Sequence, residues 1–269
     1  MPIFDAHAYF GETPFSSSMA TREAILATLR SRGVTGAALL SGLAADCDFV
    51  TGNRRLREVV SAEDGLFGWV TLNAGYPAES QEEQRRHEMK RGIVGAALFG
   101  HDGRPVLLED AREILNAQRR YAKPVALHIP GGDAVHAGRE IAAAFPAMKF
   151  LWLAMGGNDW RSAVATAKQH LNIYLEISGS LDADKIAYAS SVLTPRKLIY
   201  GSGQPHADPS LPLALVETSP TLTRADRGRI LSENAVALLR AVAEPEEEDD
   251  EAEAGQVEAE AGQVEADAE

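Results

Sequence analysis

Four of the seven histidines in this 269-residue chain stand where strand-like apolar runs end. His7 lies in IFDAHAYF, His101 follows IVGAALF, His128 ends PVALHI and His206 follows KLIYGSG. Imidazole holds metal ions and moves protons near neutral pH, so histidines gathered at one set of strand ends point to metal-assisted or acid–base chemistry. In the first run Asp5, His7 and Tyr9 alternate, which on a strand projects them to one face, as a His-x-His ligand pair is projected. Asp5, His7 and His128 are the acid–base candidates, and Arg104, after the fourth run, is a cation suited to a carboxylate. Tyr9, His101 and His206 are further candidates to line a site; Glu176, within NIYLEIS, faces either the pocket or the helices. His87, His136 and His170 fall in helical stretches and read as solvated surface residues.

The elements that must position these groups alternate. Apolar runs at 2–10, 33–40, 66–74, 93–99, 124–129, 149–155, 172–178 and 197–203 are each followed by an amphipathic stretch, at 21–32, 53–62, 79–91, 108–121, 132–145, 159–171, 182–193 and 224–242. Alternation of that kind implies βαβ units and a parallel sheet. Eight such units in 243 residues predict an α/β fold, a (β/α)8 TIM barrel, with an open doubly wound sheet as the runner-up. Barrel chemistry sits at the C-terminal strand ends, which is where the four histidines fall. Glycine-rich turns at 131–135 and 155–159 lack nucleotide-binding spacing, so no nucleotide is expected.

In order and spacing these segments resemble the amidohydrolase superfamily, in particular the amidohydrolase-related branch with its decarboxylases of aromatic and muconate-type acids and its lactonases. IFDAHAYFGE is similar to that family's Asp-x-His-x-His-x-Gly, KPVALHIPGG to its fifth strand with a metal-ligand histidine, and FLWLAMGG to its His-x-Gly-Gly. KLIYGSGQPH resembles Gly-Ser-Asp-x-Pro, ILSENAVALL the closing helix, and NIYLEISG the seventh strand. The resemblance implies a barrel of the metal-dependent-hydrolase type over residues 1–243. It also exposes three departures: Tyr9 stands for the second histidine, Ala154 for the sixth-strand histidine and Gly203 for the eighth-strand aspartate. A catalytic zinc site uses three protein ligands and a water, and neither alanine nor glycine donates an electron pair from a side chain. The expectation is therefore no cofactor, and a pseudoenzyme that binds a small-molecule ligand or a protein partner. The alternative is a divergent hydrolase, lactonase or decarboxylase of a small organic acid, with a divalent metal such as zinc held through His7 and His128. Whether the chain is an enzyme stays open on sequence.

Residues 244–269 carry 13 of the 39 acidic residues and no basic one, leaving 26 acids against 26 Lys and Arg in the rest. The net charge of −13 thus belongs to an appendage, and the balanced body offers no footprint for nucleic acid. The appendage repeats EAGQVEA at 253–259 and 260–266. Its density of like charge predicts disorder, with a basic partner as one possible contact. No apolar run approaches the roughly 20 residues that span a bilayer, so no membrane partner is expected. With the lone Cys47 and no signal-peptide pattern, the expected location is the cytoplasm.

Overall fold

The structure, a computed structural model, describes residues 2–11, 21–100, 104–179, 181–182 and 184–240; His101 and the acidic segment 244–269 lie outside the described residues. The order begins with β1 (Ile3–Phe10), α1 (Arg22–Ser31), β2 (Val34–Ser41), α2 (Gly42–Asp46), α3 (Phe49–Ser61), β3 (Leu66–Asn73), α4 (Pro77–His87), β4 (Ile93–Phe99) and α5 (Leu108–Gln118). It continues with β5 (Val125–His128), α6 (Gly132–Ala144), β6 (Phe150–Leu153), α7 (Trp160–Gln169), β7 (Ile173–Glu176), α8 (Lys185–Val192) and β8 (Leu198–Ile199). Helices α9 (Ser210–Glu217) and α10 (Arg224–Gly228), a π turn at Arg229–Glu233 and α11 (Asn234–Leu239) complete it. The short α2 and α9 have no counterpart in the sequence reading, and the closing helix expected over 224–242 is interrupted by the π turn.

All eight strands run parallel in the order β1 to β8. The chain just past β8 then lies against β1: Ala6 donates to the carbonyl of Tyr200 at 3.0 Å, Gly203 to that of His7 at 2.7 Å, and Tyr9 to that of Gln204 at 2.7 Å. These bonds all but close the sheet into the (β/α)8 barrel that the strand count predicts.

Strand side chains alternate between two cores, as their two-residue period requires. Ala38, Leu40, Trp69, Ala126, Leu151, Leu153 and Ile199 fill the barrel, joined by Leu238 and Leu239 of α11. Their neighbours Leu39, Val70, Leu127, Trp152 and Leu198 face the helices. Strand β1 breaks this phase. Phe4 and Ala6 point inward at its start and Tyr9 at its end, with a register shift between Asp5 and Ala8. Asp5, His7 and Tyr9 therefore do not share one face by simple alternation; the irregularity re-aims them, as bulges beside functional sites do.

His87 departs from its expected surface position. It is buried beside Glu83, 3.3 Å from Nε2 to the carboxylate. The next residue, Glu88, is buried, accepting from the Gln118 amide at 2.6 Å with Lys123 3.9 Å from its other oxygen. Burial pushes the Glu88 carboxyl up to about 7, against the opposing pulls of Lys123 and Gln118. Between the ordinary carboxylate range and pH 7 the folded chain keeps a proton that the unfolded chain has released. Stability contributed here is present at low pH, falls as pH rises through that window and is flat above it. Glu88→Gln should remove a fall of about 3 kcal/mol between pH 4.5 and 8. Urea midpoints at the two pH values measure it.

Candidate functional site

Strands β1, β7 and β8 bring a buried carboxylate–imidazole pair to the barrel mouth. Glu176 ends β7 with no solvent exposure, which settles its face: it points to the site. Its Oε2 accepts from His7 Nδ1 at 2.8 Å, from the Ala154 N–H at 2.9 Å and from Ser178 Oγ at 2.7 Å, while Oε1 accepts from the Ser178 N–H at 2.5 Å. Burial alone would raise the Glu176 carboxyl, but His7 and these donors outweigh it and hold the group below its ordinary range. A carboxylate there fixes the imidazole proton on Nδ1 and turns the Nε2 electron pair away from Glu176. His7 Nε2 is buried and has no hydrogen-bond partner.

Asp5 completes the buried set. Its Oδ1 accepts from the backbone N–H groups of His7 at 3.1 Å and Ser202 at 2.9 Å, and its buried Oδ2 has no partner. Burial pushes the Asp5 carboxyl up to about 6, against the pull of its contacts with Ser202 and His7. Tyr9 packs edge-on between the rings of His7 and His206, with centroids 5.1 and 5.0 Å away. Burial, with Glu176 and Asp46 adding to it, raises the Tyr9 phenol well beyond its usual value. Burial lowers His206, with Asp46 opposing.

His128, at the end of β5, opens onto a cavity of about 740 Å³. Phe99 lies 5.8 Å from its ring, and Arg104, Asn73 and Tyr76 line the same space, with Gly131 and Gly132 at the start of α6. Burial first, then its neighbours His7 and His206, push His128 down to about 4, so the imidazole is neutral at pH 7. Tyr9 does not seal this residue off; the cavity is large enough for a small aromatic acid.

The site thus joins Asp5, His7, Tyr9 and Glu176 in one buried cluster, with the exposed His206 against Tyr9 and with His128 and Arg104 on the adjoining cavity; His101 lies outside the described residues. Sequence reasoning missed Ser178 and Ser202, each of which follows an apolar strand and bonds a site carboxylate. It also missed Gly201, where a Cβ would sit 2.6 Å from Glu176 Oε1. Gly201→Ala must displace Glu176, and it should cost about 1–3 kcal/mol in thermal or urea unfolding.

Two of the departures have backbone roles. Ala154, at φ 62°, presents its N–H to Glu176, and Gly203, at φ 65°, presents its N–H to the His7 carbonyl. For a divalent metal, the candidate donors are His7 Nε2, buried and uncommitted, and the neutral His128 ring; imidazole suits such an ion. Among the described residues no group of three is already drawn together as a ligand set.

A family model described as Amidohydrolase matches residues 20–241. No curated protein matches the sequence. Among solved structures, 2,6-dihydroxybenzoate decarboxylase from Rhizobium is similar at TM-score 0.69 and 14% identity, covering 90% of this chain and 99% of that one. A dihydroxybenzoic acid decarboxylase from Polaromonas, with manganese and the inhibitor 2-nitroresorcinol bound, gives TM-score 0.71 at 16% identity, covering 90% and 97%. A 5-carboxyvanillate decarboxylase from Novosphingobium aromaticivorans, with manganese and a nitrobenzoic acid, gives 0.69 at 13%, covering 88% and 97%. The expectation of no cofactor is corrected by these similar structures, which carry bound manganese. That expectation counted Tyr9, Ala154 and Gly203 as lost ligands, whereas His7 Nε2, buried and uncommitted, and the neutral His128 ring are still available to an ion.

Proposed function

Because this chain belongs to the amidohydrolase family, we propose that it is a metal-dependent enzyme of the decarboxylase and hydrolase kind, acting on a small aromatic acid. The observation that carries this reading is His128. It is a neutral imidazole on a cavity shared with Arg104 and Phe99, backed by a His7 whose free nitrogen is aimed by Glu176. Loss of function through Tyr9, Ala154 and Gly203 is the weaker reading, because the acid–base groups keep a connected set of hydrogen bonds.

In this reading Arg104 takes a substrate carboxylate or phenolate at the rim, where a guanidinium forms paired hydrogen bonds to planar anions. Phe99 lies against the substrate ring beside His128. His7 and His128 would hold the divalent ion, which supplies Lewis-acid polarisation of the substrate oxygens. Decarboxylation breaks the bond between the ring and the carboxyl carbon, CO2 leaves, and the electron pair left on the ring takes a proton. Asp5, raised into the range where a carboxyl exchanges protons near neutral pH, holds that proton at Oδ2. Glu176 keeps His7 oriented throughout.

The test is turnover of 2,6-dihydroxybenzoate and 5-carboxyvanillate by the full chain with manganese added, followed by chromatography of the decarboxylated phenol. Formation of either product that depends on His128 supports the reading. Failure with both acids and with a set of aromatic lactones, in protein that has bound manganese, overturns it.

A further inference from the structure

A second cleft, of about 450 Å³, lies at the opposite end of the barrel, between the starts of β6 and β7 and the closing helix. Lys149 immediately precedes β6, Arg196 sits in the turn before β8 and Arg229 opens the π turn, so three separate segments direct cations to one place. Tyr174, Glu233 and Asn234 complete the polar lining. The walls are fixed: Asn234 donates to the carbonyls of Pro195 and Leu198, both at 2.8 Å, pinning the Arg196 turn to α11. Arg229 is held by Asp226 at 2.9 Å. Among the described residues Lys149 and Arg196 have no side-chain ion pair or hydrogen bond, although both face the cleft. Lys149 and Arg196, converging without a bonded counter-charge of their own, make the cleft a candidate anion site even with the Glu233 carboxylate in its lining.

We propose that this cleft is the docking site for the acidic stretch 244–251 of the same chain. Three observations select that occupant. The stretch carries seven carboxylates and no basic residue, so it can supply counter-charges to the unpaired Lys149 and Arg196. It begins five residues after the last residue of α11, whose Ala237 and Leu238 line the cleft. Counted from Arg240, the extended reach runs from about 13 Å at Glu244 to about 36 Å at Glu251, enough length for the stretch to fold back along the end of the barrel. Each exposed pair contributes little, so the association depends on several acting together and weakens with salt. The site is independent of the chemistry proposed at the barrel mouth.

A water-soluble carbodiimide, which joins a carboxylate and an amine in contact as an amide, tests this on the full chain, with peptide mass spectrometry as the readout. The expected result is an intramolecular amide between Lys149 and a carboxylate of 244–251, several-fold more abundant than any at the exposed Lys168. Arg196→Glu should cut that product about tenfold, Arg196→Ala less, and 1 M salt should do the same by shortening the screening length to about 3 Å. Melting temperatures of both variants establish that they are folded. Coupling at Lys149 no greater than at Lys168, a yield indifferent to Arg196→Glu, or a product joining two chains would overturn the proposal.

Discussion

His128→Ala should lower kcat/KM for the aromatic acid that is turned over by about 10³-fold, the scale on which a positioned acid–base or metal-holding imidazole contributes. The reasons lie in its placement. Among the histidines of the barrel mouth it lines the cavity, and its neutral ring presents a free electron pair at pH 7. Because it is only partly buried and, among the described residues, its ring contact is with Phe99, the substitution should leave unfolding within about 1 kcal/mol of the parent. Loss of activity with folding intact is the expected pair of results. A variant that retains most of the parent activity would place the chemistry elsewhere.

Glu176→Gln should act through His7. The amide keeps the shape of the carboxylate but replaces an acceptor oxygen with a donor, so at least one of the His7, Ala154 and Ser178 donors is left facing an N–H. Metal affinity or kcat/KM should fall about 10- to 100-fold, the usual cost of losing the carboxylate that orients a ligating histidine. A stability loss of about 1–3 kcal/mol should accompany it, because a buried donor goes unsatisfied. Manganese titration of the variant separates the two effects. A merely structural Glu176 would lower the unfolding midpoint and leave metal affinity where it was.

Much of the architecture is legible in the order of apolar runs. Eight strands, their parallel pairing and the placing of His7 and His128 near strand ends all follow from two-residue and helical periodicities. The detail of the site does not, for reasons specific to each residue. The β1 irregularity depends on how Asp5 and Ala8 pair with β2, which no property of IFDAHAYF announces. Glu176 could have faced either core, and only closure of the sheet beside β1 turns it to His7. At Ala154 and Gly203 sequence comparison registers a missing side chain, whereas the fold uses the backbone N–H, a group every non-proline residue carries. His87 and Glu88 look like surface charge in a polar helix, yet α4 packs them against α5.

The central claim is that Asp5, His7 and His128 form the metal-holding and proton-handling centre of a working enzyme. Metal analysis of the full chain purified without chelator tests it most directly, alongside the His7→Ala/His128→Ala double variant. The account predicts about one equivalent of a divalent first-row metal in the parent, lost from the folded double variant. A parent chain that takes up no metal even when manganese is supplied, or a double variant that binds it equally well, would contradict the account.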